Sequence, residues 1–203
     1  MMSDKGLIII LSGPSGSGKG TIVQELIKNK ELTLSISATT RAPRQGEQEG
    51  IHYFFKTHEE FEYMIKNNEF LEYAHFCDNY YGTPIKFIEE TINSGKDCIL
   101  EIEVQGALQV KKNFKEAIFI FIVPPSLEEL EKRLVGRNTE NQEVIKKRLD
   151  RAKEELKLYR EYDYVVDNDS VENAVTRVLS IICAEKLKSE RSTKKIESIL
   201  NNK

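Results

Sequence analysis

Apolar residues fall along the chain in two rhythms. Short unbroken runs, LIIIL at Leu7–Leu11 and AIFIFIV at Ala117–Val123, have the length and branching of strands buried on both faces. Elsewhere the apolar positions return at helical spacing. Ile22, Val23, Leu26 and Ile27 form one face of a helix over Ile22–Asn29. Phe61, Met64 and Ile65 follow a capping box, Thr57 with Glu60, and Leu127, Leu130 and Leu134 follow a second, Ser126 with Glu129. A long helix is expected over Glu143–Tyr159, with Val144, Leu149, Ala152, Leu156 and Tyr159 on one stripe, and a closing helix over Val171–Leu187. Asp97–Val104 and Tyr164–Val166 read as further strands, and Leu32–Ser37 as a weaker one. Thr83 and Pro84 have the pattern of an N-cap and first helical position, with Gly95 as the stop.

Strands alternating with helices in this way predict an α/β core around a parallel central sheet. Residues 39–83 break the alternation. An Arg-, Gly- and Glu-rich loop, TTRAPRQGEQEGIHYFF, leads into a capped helix and then the aromatic, irregular Glu69–Tyr81, which reads as short antiparallel strands. The stretch is too long for a simple crossover and is expected to be an inserted lobe. Gly136–Asn141 reads as a polar loop. Lys188–Lys203 reads as a polar, mostly basic, partly frayed tail.

Composition narrows the function classes. The 203 residues suit one domain with insertions, and 39% hydrophobic with 31% charged residues is ordinary for a soluble globular chain. A net charge of -3 argues against a general nucleic-acid binder. No apolar run approaches a bilayer span and the opening residues lack signal-peptide features, so a cytoplasmic enzyme without a membrane partner is expected. Cys77, Cys98 and Cys183 form neither a disulfide nor a zinc pattern and are expected to be free, buried or partly buried thiols.

The first chemical motif is GPSGSGKGT, Gly13 to Thr21, set between the first strand and the first helix. Gly13, Pro14, Ser15, Gly16, Ser17, Gly18 and Lys19 match the spacing of a P-loop, whose inward backbone N–H groups cradle phosphate while the lysine reaches the outer phosphates. Gly20 stands where many P-loops place a magnesium-binding Ser or Thr, and Thr21 follows one position later. Magnesium is then held by phosphates and water, or by Thr21 with nearby acids. No residue is assigned as its direct ligand.

Three further constellations bear on the acceptor and the transfer. Arg41 and Arg44, three apart around Pro43, can clamp one phosphate, with Tyr53 adding a hydroxyl. Glu72 sits among aromatics, with Tyr81 and Thr83 close behind. A carboxylate there can take the N1–H and N2–H of guanine, and a hydroxyl from Ser37 or Thr83 can serve O6. Adenine would leave that carboxylate unpaired. Glu101 and Glu103, two apart, are expected on one face at the carboxyl end of a strand, one orienting the acceptor and the other holding magnesium-bound water. Arg133, Arg137 and Arg148 are candidates to close on a triphosphate.

GPSGSGKGT, SATTRAPRQGE, EYAHFCDNYYGT, EIEVQGALQV and RLVGRNTE occur in an order and spacing that resembles guanylate kinase, from about Gly6 to about Glu185. The resemblance implies a P-loop NTPase three-layer fold over 6–185, comprising a core (1–36, 84–125 and 160–187), a GMP-binding lobe (37–83) and a small helical lid (126–159), with a basic tail at 188–203. It implies magnesium-dependent transfer from ATP to GMP, and to dGMP, giving ADP and GDP in purine nucleotide metabolism. It places Gly13 to Thr21 and Asn168 on ATP. Ser37, Arg41, Arg44, Tyr53, Glu72, Tyr81, Thr83 and Glu103 fall on GMP, and Lys19, Arg41, Arg133, Arg137 and Arg148 on catalysis. Members often carry Asp where this chain has Glu101 and Glu103. Two rivals are a kinase of another small acceptor on the same scaffold, opposed by Glu72 with Thr83, and a non-enzymatic binding domain, opposed by Lys19, Arg133 and Arg137. Whether the protein is a monomer or a homo-oligomer stays open.

Overall fold

A computed structural model describes residues 5–76, 78–135 and 142–201. Its centre is a five-stranded sheet, parallel throughout. In chain order the strands are β1 (Ile8–Ser12), β2 (Leu32–Leu34), β7 (Asp97–Glu101), β8 (Ile118–Val123) and β9 (Tyr164–Asp167), arranged β2-β7-β1-β8-β9. Alternation along the strands sorts the core into two layers. Ile9, Leu11, Ile118, Ile120 and Ile122 face α1 (Lys19–Leu26) and α7 (Val171–Lys186), packing on Ile22, Leu26, Val178 and Ile182. Ile10, Leu100, Phe119 and Phe121 face the other way, toward Ile88 of α3 (Ile85–Asn93) and Val104, Ala107 and Val110 of α4 (Val104–Asn113). The chain leaves β1 toward β2 on one side, while β7 crosses by α4 to β8 on the other. The carboxyl end of β1 is therefore a switch point, where open α/β sheets bind ligands.

A second, four-stranded sheet carries β3 (Ala38–Thr39), β4 (Phe54–Phe55), β5 (Phe70–Phe76) and β6 (Asn79–Pro84), in the order β4-β3-β6-β5. The stretch expected to be loop thus holds two very short strands. The capping box of α2 (His58–Lys66) forms as expected, with the Glu60 N–H donating to the Thr57 hydroxyl and the Thr57 N–H to the Glu60 carboxylate. It fixes a helix whose buried Phe61 stacks on Phe70 at 4.3 Å and on Tyr80 at 5.3 Å.

Between β8 and β9, α5 (Leu127–Val135) and α6 (Gln142–Leu156) form a helical pair around Leu130, Leu134 and Ala152, and a 3-10 turn (Lys157–Glu161) leads back to the core. Leu127 stays exposed. The Glu129 N–H donates to the Ser126 hydroxyl, while the Glu129 carboxylate accepts from Arg133.

Several expectations change. The first helix starts at Lys19, directly after Gly18, three residues before its apolar face begins. Pro84, not Thr83, is the N-cap of α3, and Thr83 belongs to β6. The strand at Asp97 stops at Glu101, because its ladder partner β1 turns into the glycine loop, and Glu103 becomes the extended N-cap of α4, a helix the sequence reading omitted. Within the described part of the tail lie a 3-10 turn (Ser189–Arg191) and α8 (Thr193–Asn201), whose Ile196, Ile199 and Leu200 are exposed. Cys98 is buried, which pushes its thiol up to about 12, whereas Cys183 is exposed. No helix among the described residues is long and apolar enough to cross a membrane.

Candidate active site

The glycine-rich loop joins β1 to α1 as its spacing required. Gly18 adopts φ 88, and a Cβ there would stand 2.3 Å from Nδ2 of Asn168. Only glycine allows both that backbone and that approach. Asn168 is buried and donates from Nδ2 to the Ser17 carbonyl at 2.7 Å, so its amide braces the loop from behind. The Lys19 ammonium, also buried, folds back across the loop and donates to the carbonyls of Gly13 (2.7 Å) and Pro14 (3.2 Å). The loop thus places a cation at its own mouth, and the helix N-terminus adds its partial positive charge.

The helical pair leans over this loop. Arg148 of α6 donates to the Ser15 hydroxyl at 2.7 Å. Arg133 of α5 is held by Glu129 at 3.1 Å and reaches the carbonyls of Ser17 (3.4 Å) and Asn168 (3.3 Å). Two guanidinium groups therefore border the loop from one side. Arg137 lies outside the described residues.

Across the sheet edge, a cleft of about 140 Å³ lies between the two sheets, lined by Ser37, Tyr53, Thr83 and Glu101 and also by Ser35 and His52, which the sequence reading missed. The Ser35 hydroxyl is buried without a hydrogen-bond partner among the described residues. Its signal was its place two residues before Ser37 on one extended segment. Behind Thr83 stands Glu72. The β5–β6 register shifts by one residue between Phe70 and Tyr73, so Leu71 and Glu72 together oppose Thr83. This bulge lets consecutive residues both turn inward, Leu71 into the core and Glu72 to Thr83, whose hydroxyl donates to Glu72 Oε1 at 2.7 Å. Desolvation raises the Glu72 carboxyl above the usual range, and the Thr83 hydrogen bond offsets part of that.

Tyr53 links this cleft to the arginine loop. The Arg41 guanidinium lies 5.5 Å from the Tyr53 ring centroid, and the rings of Tyr53 and Tyr81 are 6.2 Å apart, edge to face. Arg44 is exposed on the same loop. Arg41, Tyr53 and Tyr81 are thus brought together beside Ser37 and Thr83.

The family model for guanylate kinase matches residues 5–185. The chain belongs to the guanylate kinase family. It is 55% identical over 201 residues to a guanylate kinase of Halalkalibacterium halodurans, covering 98% of each chain, and 50% identical over 201 residues to that of Bacillus subtilis, again covering 98% of each. Its fold is similar to the crystal structure of guanylate kinase from Anaplasma phagocytophilum, with a TM-score of 0.74 at 34% identity, covering 94% of this chain and 91% of the other.

Within this guanylate kinase fold the two acids diverge. Glu101 ends β7 at the cleft and lies against Gly20. Desolvation raises its carboxyl, the Lys19 charge opposes this, and the Glu103 charge adds to it. Glu103 is exposed on the N-cap of α4, with its carboxylate 4.0 Å from Arg151 of α6. Among the described residues no group of three or more His, Cys, Asp or Glu is placed to cage a metal. Glu101, a carboxylate against the glycine loop, is an oxygen donor of the kind that suits magnesium arriving with a nucleotide.

Proposed function

We propose that ATP binds with its phosphates in the Gly13–Thr21 loop and that GMP binds beneath the four-stranded sheet, with residues 37–83 as the acceptor lobe and 126–159 as a lid. The reaction is transfer of the γ-phosphoryl group of ATP to GMP, giving ADP and GDP, the activity of the family to which the chain belongs. An oxygen of the GMP phosphate attacks the γ-phosphorus in line, and the bond to the β-phosphate oxygen breaks. Lys19 holds the β- and γ-phosphates, and Arg133 and Arg148 offset the charge that spreads over the transferring group. Arg41, Arg44, Tyr53 and Tyr81 hold the acceptor phosphate. Glu103 orients the acceptor nucleoside. The Thr83–Glu72 pair reads guanine, with Ser37 at O6, and Asn168 fixes the loop on the ATP side. Glu101 would face magnesium that arrives with the nucleotide, which would supply neutralisation of phosphate charge.

The buried Glu72 aligned by Thr83 at 2.7 Å carries this reading, because an oriented, dry carboxylate suits the paired N–H edge of guanine and penalises adenine. An ADP-release assay with ATP and magnesium, offering GMP, dGMP, AMP, CMP and UMP in parallel, tests it. Turnover restricted to GMP and dGMP is the expected result. Equal turnover of AMP would remove the role given to Glu72.

A further inference from the structure

The loop that carries Arg41 and Arg44 is built around a third charged residue that the functional reading leaves unused. Glu47 and Arg41 are both largely covered, at 17% and 16% side-chain exposure. The Arg41 Nη2 donates to both Glu47 oxygens, at 2.9 and 3.0 Å, and Nη1 donates to the Ala42 carbonyl at 2.8 Å. The Arg44 N–H donates to Glu47 Oε2 at 2.7 Å, and the Glu47 N–H returns a bond to the Arg44 carbonyl at 3.0 Å. The last bond closes a turn over Arg44–Glu47 in which Gly46, at φ 90, takes the third position that a type II turn reserves for glycine. This turn swings the Glu47 side chain back onto both arginines of the segment.

We propose that Glu47 is a positioning residue of the acceptor phosphate site, holding the Arg41 guanidinium and the Arg44 main chain in clamping geometry before the acceptor arrives. The proposal rests on the assignment of Arg41 to the acceptor phosphate. A guanidinium has five N–H donors in one plane; Glu47 and Ala42 take up at most three of them and the Tyr81 hydroxyl approaches another, so donor capacity remains for an incoming phosphate beside Tyr81. An arginine fixed on one side loses less freedom when it clamps an anion on the other. The paired charges also shift together. The Arg41 bond holds the Glu47 carboxyl below its usual range, with the Arg44 N–H assisting, and Glu47 raises Arg41. Both stay ionised at neutral pH.

The test compares wild type, Glu47→Ala, Glu47→Gln, Arg41→Ala and the double variant in steady-state kinetics, with guanosine as a competitive inhibitor lacking the phosphate. For Glu47→Ala the KM for GMP is expected to rise about tenfold, with kcat within about threefold and the KM for ATP unchanged. Glu47→Gln, which keeps the acceptor for Arg44 and loses the charge, should fall between. Guanosine inhibition should stay within about twofold, and adding Glu47→Ala to Arg41→Ala should raise the KM for GMP by less than Glu47→Ala does in wild type, since the part that runs through Arg41 is already lost and only the Arg44 part remains. GMP and guanosine weakened alike would show only a loosened lobe and overturn the proposal. An unchanged or lowered KM in Glu47→Ala, while Arg41→Ala raises it, would overturn the role of Glu47 and leave the acceptor site standing. An unchanged KM in Arg41→Ala would instead remove the assignment of Arg41, and the proposal with it.

Discussion

The Thr83 hydroxyl donates to the Glu72 carboxylate over 2.7 Å, across an antiparallel pair whose bulge sets two residues against one. That contact aligns a carboxylate whose pKa burial raises and the Thr83 bond partly restores, and its second oxygen lies against Gly106 of α4. The arrangement costs stability in the empty protein, because a charge sits where water is largely excluded.

That cost is measurable. Burial raises the Glu72 carboxyl in the folded protein above its ordinary value of 4.5, so the charged form disfavours folding at pH values above the raised value. The penalty is relieved as pH falls through the raised value and is gone below 4.5. Glu72→Gln should therefore be more stable than wild type by about 1 kcal/mol at neutral to alkaline pH, with the gap closing on acidification. Urea unfolding of the nucleotide-free proteins at both ends of that window checks it. A variant less stable than wild type at alkaline pH would mean that the Thr83 bond outweighs desolvation.

Lys19 and Arg148 both bind the same loop, one through the carbonyls of Gly13 and Pro14 and one through the Ser15 hydroxyl. Lys19→Met and Arg148→Ala should each lower kcat by about 10²–10³-fold. Circular dichroism should show the fold retained. Full turnover in either variant would remove that side chain from the transfer step.

Thr57 offers a change remote from the chemistry. Its hydroxyl and the Glu60 carboxylate satisfy two N–H groups at the start of α2. Thr57→Ala should lower unfolding free energy by about 1 kcal/mol, within the usual range for lost N-caps. Thermal denaturation reads the loss, and KM for GMP should be unchanged.

How far these features were legible in the sequence depends on the range of the forces that make them. LIIIL followed by GPSGSGKG is local information, since a doubly buried strand, a glycine nest and a helix start are each set by adjacent residues. Thr57 with Glu60 is local in the same sense. Thr83 looked equally local, because Thr-Pro is a good helix start, yet its hydroxyl goes to a neighbouring strand and Pro84 takes the cap. Two-residue spacing placed Glu101 and Glu103 on one face, but β7 has no ladder partner past the end of β1, so the rule lapses at Glu101. The Arg41–Glu47 pair needed the turn at Gly46 to be seen. In the tail, Ile196, Ile199 and Leu200 carried a helical spacing that the surrounding lysines masked.

The central claim is that Glu72, aligned by Thr83, selects guanine. Its most direct measurement is kcat/KM for GMP and for AMP in wild type, Glu72→Gln and Thr83→Val. Glu72→Gln is expected to lose about 10²-fold or more on GMP and Thr83→Val about tenfold, with the preference for GMP over AMP narrowed in both. A Glu72→Gln enzyme that keeps the wild-type preference would contradict it, and guanine would then have to be read by other groups in the cleft.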